Sequence, residues 1–264
     1  MPVQCRICTS PVEVAFDHEL LGKYDCRYYF CRNCGGMQTE EPYWLEEAYE
    51  SPVAAADTGI LVRNLDLARI TSLVLFFLFD HRGRFLDAAG GYGLFTRLMR
   101  DIGFDYYWTD KYSPNLVAKG FEMTGEGLPY TAVTAFEVME HLPDPVAFVD
   151  ELLESTGTDT VIFSTELFAG EPPAPDEWWY YAFATGQHIT FYQRRTLELI
   201  AKRFGMNLYS SGSFHIWTRR KLNPLALRFL TSPRVSGLLR GLPPRVLGPR
   251  TWADHERLVG AHER

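Results

Sequence analysis

The chain lacks any long apolar run. Its most apolar stretch, ITSLVLFFLFD from Ile70 to Asp80, runs straight into His81, Arg82 and Arg84, and it falls well short of the ~20 residues a helix needs to span a bilayer. A buried helix is the expected form. The opening MPVQCRICTS has no basic start, apolar region or small-residue cleavage site, so a secretory leader is not expected and the cytoplasm is the predicted compartment. Positive charge is also in deficit. The formal net charge of −7 argues against nucleic acid as a partner of the whole protein. Disorder is not indicated, because 46% of residues are hydrophobic and 22% charged, an ordinary globular balance. With 264 residues, one sizeable core and a small satellite are expected.

Cysteine is scarce, and its placement carries the information. Only five are present, and in a reducing compartment pairs spaced Cys-x-x-Cys point to metal rather than disulfides. Cys5 and Cys8 form one pair, and Cys31 and Cys34 form a second that runs into Gly35 and Gly36. Each spacing makes a turn that aims two sulfurs at one ion, so the two turns supply a tetrahedral Zn2+ site. The 22 intervening residues accommodate a β-hairpin through KYDCRYYF. Four thiolates leave no open coordination position, so zinc would be structural, stapling a segment too small to fold by its core alone. A metal-free or redox pair is the alternative. Cys26 is read as a small apolar residue of the hairpin, with a ligand role as the alternative.

From Arg84 onward short apolar runs alternate with helical segments, the pattern of a parallel α/β sheet. In RFLDAAGGYGLFTRLMRDIG, Arg84 to Ala88 predict a strand and Gly90, Gly91 and Gly93 a glycine-rich turn. Leu94, Phe95, Leu98 and Met99 predict a helix with one apolar stripe. Such glycines permit unusual dihedrals and close approach of a ligand, beside unpaired amides of the helix N-terminus. The lysine and hydroxyl of a P-loop are missing. FDYYWTDKYSPN predicts a second strand ending at Asp110, where a carboxylate can accept both ribose hydroxyls of an adenosine.

LDAAGGYG resembles the first motif of class I S-adenosylmethionine-dependent methyltransferases, and FEVMEHLPDP resembles the segment after their fourth strand. STEL and GQHITFYQRRTLELIAKRFGM continue in the manner of that family, so the resemblance covers roughly Phe85 to Leu208. It implies an α/β, Rossmann-like fold with a mostly parallel sheet, preceded by a small zinc-ribbon-like module. It also implies S-adenosyl-L-methionine as cofactor. Carried over, Asp87, Ala89, Gly90, Gly91 and Gly93 would line the methionine part, Asp110 would hold the ribose, and Phe136 and Glu137 would lie against the cofactor. Ala89 replaces a glycine common in the family. The segment from Asp110 to Thr131 is short, which predicts a stub for the third strand and leaves Glu126 as the only nearby candidate for the adenine contact. The cysteine pairs ahead of this core and the RNLDLARI helix are similar to those of bacterial sugar methyltransferases of antibiotic and surface-polysaccharide pathways. The implied division is 1–45 for the zinc module, 46–218 for the methyltransferase domain and 219–264 for a basic helical tail.

Methyl transfer from a sulfonium is an in-line displacement, so holding the nucleophile in line supplies much of the acceleration and one base suffices. His188, in ATGQHITFY, is the preferred catalytic candidate, as a histidine of near-neutral pKa. Its alternative is a hydrogen bond to a loop carbonyl. Glu166, at the mouth of the fifth strand, either orients the acceptor, acts as the base or is merely solvated. His141 is read as shaping the start of a helix near Pro143. Trp178 to Tyr181, beside EPPAPDE, are either a pocket wall for a ring-containing acceptor or core. Arg219 to Arg250 holds eight basic residues and no acidic one among leucines and prolines. That stretch lies on an anionic membrane surface or forms short helices packed on the body. The expected activity is methylation of a small molecule or glycan, a sugar preferred, on oxygen before carbon or nitrogen. The rival readings are a zinc-ribbon interaction protein with a degenerate core and an NAD-dependent oxidoreductase. The latter fits less well, because the full Gly-x-Gly-x-x-Gly is missing.

Overall fold

The computed structural model describes residues 3–49, 57–126 and 128–262. Parts of the 46–218 segment and the last two residues of the tail therefore lie outside the described residues. The chain opens with strands β1 (Glu13–Leu20), β2 (Tyr24–Phe30) and β3 (Met37–Thr39) and a single turn, α1 (Leu45–Ala48). Helix α2 (Ile60–Leu78) leads to β4 (Arg84–Ala88), α3 (Leu94–Ile102), β5 (Asp105–Thr109) and β6 (Ala132–Ala135). Next come α4 (Pro145–Thr156), β7 (Thr160–Ser164), β8 (Thr190–Phe191), α5 (Arg194–Arg203), β9 (Asn207–Ser211) and β10 (Phe214–Thr218). The tail folds into α6 (Pro224–Thr231), α7 (Pro233–Leu239), α8 (Leu242–Leu247) and α9 (Thr251–His262). No helix among the described residues is long and apolar enough to cross a membrane.

Two sheets result. The larger runs β5-β4-β6-β7-β10-β9, with β5, β4, β6 and β7 parallel and β10 antiparallel to both its neighbours. This is the α/β, mostly parallel sheet expected from the alternating pattern. Beyond β5 the predicted stub is a lone parallel bridge between Trp108 and Glu122. Local chemistry sets the helix ends. Asp144 caps α4 by accepting from the Ala147 N–H at 2.9 Å, with Pro145 in the first turn, so this helix starts two residues beyond the expected Pro143. One face of the sheet buries Val74, Leu75 and Phe79 of the α2 region with Phe85, Met99 and Ile216. The predicted buried helix around Ile70 is thus confirmed.

The smaller sheet joins the first three strands to a two-residue strand about 150 positions later. Its order is β1-β2-β3-β8, and Met37 and Gln38 pair with Phe191 and Thr190. The first 45 residues therefore do not close their own sheet. The cysteine turns pack into the core on the second face of the large sheet, with Cys5, Ile7, Cys31 and Cys34 beside Leu197, Ile200 and Trp217.

The basic tail forms short helices packed on the body. Leu227 and Leu230 of α6 are buried, and α9 is fixed by Asp254, which accepts from Arg100 Nε at 2.8 Å and Nη2 at 2.6 Å. Leu225, Phe229, Leu238 and Trp252 remain exposed.

Candidate active site

The C-terminal ends of β4, β5 and β6 lie side by side, which is where an open α/β sheet binds its ligand. The loop after β4 is shaped for close approach. Ala89, Gly91 and Gly93 have φ of 53°, 54° and 85°, the left-handed region that costs a side chain but not glycine. A Cβ on Gly90 would lie 2.6 Å from Asp87 Oδ2, whereas one on Gly91 would meet nothing within 4 Å. The Gly91 backbone therefore borders open space. The glycine common at position 89 in the family has a conformational reason, and here alanine bears the strain.

Asp110 is joined directly to this loop. Its Oδ2 accepts from the Gly91 N–H at 2.9 Å, and Oδ1 accepts from the Tyr112 and Ser113 N–H groups, each at 2.7 Å. A carboxylate offers about four acceptor positions, so three are occupied and one is left for a further donor. Trp108 closes the arrangement by donating from Nε1 to the Gly91 carbonyl at 2.9 Å. Asp87 sits beneath. It is buried, and its oxygens accept from Thr134 at 2.9 Å and Thr96 at 3.2 Å. Burial pushes its pKa up to about 7 despite those bonds. Asp87 thus supports the loop from below.

Phe136 and Glu137 directly follow β6. Phe136 packs on Phe95 at 4.9 Å between ring centroids, and Glu137 has φ 53°, a second strained non-glycine at a strand end. Ser164 fixes Glu137 by donating to Oε1 and accepting from its N–H at 2.9 Å. Arg63 of α2 approaches the same carboxylate at 3.9 Å while pairing with Asp57 at 2.7 Å. Glu126 is displaced from any adenine role. It is exposed, and its carbonyl accepts from Arg84 at the opposite end of β4.

His188 is brought to this region, but not as a near-neutral base. Burial pushes its pKa down to about 3, and Nδ1 is 2.7 Å from the Tyr180 carbonyl, the carbonyl contact weighed for it above. His141 lies against it, ring centroids 4.8 Å apart, with Nδ1 3.0 Å from the Gln187 carbonyl. Burial lowers its pKa to about 4. Close to both is Glu140, wholly buried and pushed up to about 8 by burial. Sequence reasoning passed Glu140 over, although its place next to His141 after a parallel strand was the available signal. Glu166 follows β7, half-buried, and its side chain makes no hydrogen bond or ion pair. Of the four aromatics, Tyr180 and Tyr181 are core, and Trp179 is 77% exposed.

The four paired cysteines converge. Their sulfurs lie within 4.8 Å of one another, with Cys5–Cys34 at 3.5 Å and Cys8–Cys31 at 3.4 Å. Four thiolates at about 2.3 Å from a zinc ion would be about 3.8 Å apart. The Ile7 and Gly36 N–H groups donate to Cys5 and Cys34 sulfurs, both at 3.4 Å. The Cys34 thiol pulls Cys5 down to about 5 and is itself pushed up, as expected of close thiols sharing protons. Cys26 lies outside the cluster, its thiol facing the Arg27 carbonyl. Arg6, between the first two cysteines, ties them to the His188 segment. It donates to the carbonyls of Ile189 at 3.0 Å, Thr39 at 3.0 Å and Glu40 at 2.8 Å.

Fold and glycine cradle together define the class I, S-adenosylmethionine-dependent methyltransferase architecture. A model of the methyltransferase-domain family matches residues 62–211, and the chain belongs to that family. No curated protein matches it in sequence. Among solved structures it is similar to mitomycin 7-O-methyltransferase, with 12% identity, a TM-score of 0.45, and coverage of 66% of this chain and 59% of that one. It is also similar to magnesium protoporphyrin IX methyltransferase from Synechocystis PCC 6803, with 14% identity, a TM-score of 0.41, and coverage of 66% and 87%. A methyltransferase of calicheamicin biosynthesis shares 13% identity at a TM-score of 0.43, with 66% and 61% covered. The chain thus spans less than two thirds of the length of the first and third of these.

Proposed function

We propose that this protein transfers a methyl group from S-adenosylmethionine to a small-molecule or glycan acceptor, with a sugar hydroxyl preferred over carbon or nitrogen. The observation that carries this reading is the link between Asp110 and the open Gly91 cradle, within a chain of the methyltransferase-domain family. The cofactor supplies an electrophilic methyl on a sulfonium. Asp110 accepts a ribose hydroxyl, the loop from Ala89 to Gly93 borders the methionine portion, and Phe136 and Glu137 lie against the cofactor at the end of β6. Holding the acceptor oxygen in line with the methyl is the main task left to the protein.

Two groups serve the acceptor side. Glu166, whose side chain makes no hydrogen bond or ion pair, takes the acceptor proton in this reading. His188, with Nδ1 turned to the Tyr180 carbonyl, positions the acceptor or its neighbours. Zn2+ on Cys5, Cys8, Cys31 and Cys34 is structural, and through Arg6 it steadies the strand that follows His188. We place the protein in the cytoplasm, where these thiols stay reduced. Exposed Leu225, Phe229, Leu238 and Trp252 among the tail arginines favour peripheral contact with an anionic membrane as a secondary property.

Calorimetric titration with S-adenosylhomocysteine, followed by assay of its release with nucleotide sugars and other hydroxylated acceptors, tests the reading. Micromolar binding and acceptor-dependent release are expected. Well-folded protein that binds no S-adenosylhomocysteine would overturn it.

A further inference from the structure

The turn after β6 holds a cluster that cofactor binding leaves unused. Glu140 is 0% exposed, and neither of its carboxylate oxygens has a hydrogen-bond partner. The hydroxyls on its side, Thr165 and Tyr180, lie 3.2 Å from each other and offset the effect of burial on the carboxyl only in part. A buried carboxylate without partners is costly unless it is neutral or holds a cation.

His141 and His188 complete the arrangement. Each ring is tied at Nδ1 to a backbone carbonyl, Gln187 at 3.0 Å and Tyr180 at 2.7 Å. A carbonyl only accepts, so Nδ1 carries the proton and Nε2 keeps its lone pair, the state in which imidazole binds metal. Such carbonyl bonds are also how metal-binding histidines are commonly oriented. The rings stand at 79° to each other. One ligand atom from each of Glu140, His141 and His188 lies within 4.8 Å of the others. Bonds of about 2.0–2.2 Å in a tetrahedral site require about 3.4 Å between ligand atoms, so the three side chains need to draw in by roughly an ångström.

We propose that Glu140, His141 and His188 form a mononuclear site for a first-row divalent cation, separate from the cysteine cluster. Two imidazoles and a carboxylate suit zinc, iron(II), cobalt(II), nickel(II) or manganese(II) rather than a soft ion. Charge agrees with this. Arg63 acts on Glu140, His141 and His188, but it is itself paired with Asp57 and lies near Glu137; Tyr49, its ring 6.1 Å from His141, and Tyr180 and Tyr192 are the other titratable neighbours. Glu140 itself makes no direct ion pair or hydrogen bond through its carboxylate oxygens. Three protein ligands leave coordination positions open, unlike the closed set of four cysteines. Those positions fit an acceptor that presents a hydroxyl oxygen. This last step rests on the proposed function; the metal site itself does not.

Metal counting on the full chain tests the proposal. Protein stripped by chelator is titrated with cobalt(II), freed of excess by gel filtration and analysed for metal and absorption. Wild type should hold two equivalents, of which one gives thiolate-to-cobalt charge transfer. His188→Ala and Glu140→Gln should each retain one equivalent with the thiolate absorption intact. If His188→Ala does not fold, the near-isosteric Glu140→Gln decides. A single equivalent in wild type, all of it thiolate-bound, overturns the site, as does a second equivalent that persists in Glu140→Gln. Because the readout is metal content, a protein that binds the second ion yet ignores S-adenosylhomocysteine would defeat the proposed function alone.

Discussion

Replacing Asp254 with alanine should loosen the tail from the body by a calculable amount. Asp254 is 4% exposed and meets Arg100, 1% exposed, through two bonds of 2.8 and 2.6 Å, with Arg97 adding a third at 2.9 Å. Breaking a buried pair on one side typically costs about 3–5 kcal/mol, because the partner is left uncompensated. Here the partners are not stranded. Arg100 keeps Asp105 at 3.1 Å, the Tyr106 carbonyl at 2.8 Å and the Phe121 ring at 3.7 Å, and Arg97 keeps Asp101 at 2.8 Å. The expected loss is therefore about 2–3 kcal/mol, which for a chain of this size lowers Tm by roughly 5–10 °C. The effect also has a pH sign. Burial alone would raise the Asp254 pKa, but its bonds to Arg100 and Arg97 outweigh that and hold it below the usual value. Its contribution is full above the unfolded value of about 4 and is lost as pH falls through the lower folded value. Thermal unfolding of wild type and Asp254→Ala at pH 7 and in steps below pH 4 checks both points. A shift of less than about 1 °C at pH 7, or a gap that does not narrow in acid, would refute the reasoning.

Ala89→Gly should stabilise the protein, since relief of a left-handed alanine, worth about 1–2 kcal/mol, exceeds the about 0.5–1 kcal/mol that glycine loses in chain entropy. Denaturant unfolding should show a gain of up to about 1 kcal/mol, and a clear loss would contradict the φ of 53°. Asp110→Ala should weaken S-adenosylhomocysteine roughly 10- to 100-fold, the worth of one or two bonds to a charged acceptor, and equal affinity by calorimetry would remove Asp110 from the site. Cys31→Ser should abolish tight zinc binding and raise hydrogen exchange in residues 188–191, because Arg6 and β3 connect that turn to β8. Unchanged exchange there, with zinc lost, would show the two regions to be independent.

Much of this molecule could be read from pattern. Strand β4 and helix α3 begin where the apolar spacing and the glycine turn place them, because each is fixed by local chemistry. Asp110 falls at its strand end for the same reason, and the cysteine pairs converge because their spacing dictates the turn. What escaped reading depends on partners distant in sequence. Thr190 and Phe191 are too short a run to announce a strand, and their role comes from Met37 and Gln38. Glu140 looks like any loop carboxylate until the fold buries it. His188 was expected near neutral because its burial, which decides its pKa, is not written in its neighbours. The tail's docking turns on Arg100 reaching Asp254 across 154 positions.

The sheet shared between β1–β3 and the distant β8 also sets an order of events during synthesis. Strands β1 to β3 leave the ribosome early, but β8, their fourth member, follows Thr39 by about 150 residues. At ~5–20 residues per second that gap lasts roughly 8–30 s. Throughout it the outer edge of β3 is an unpaired template and Arg6 has no Ile189 carbonyl to hold. Early capture of zinc by the four cysteines would shelter the nascent segment over that interval, so zinc supply during growth, rather than afterwards, should govern the yield of folded protein.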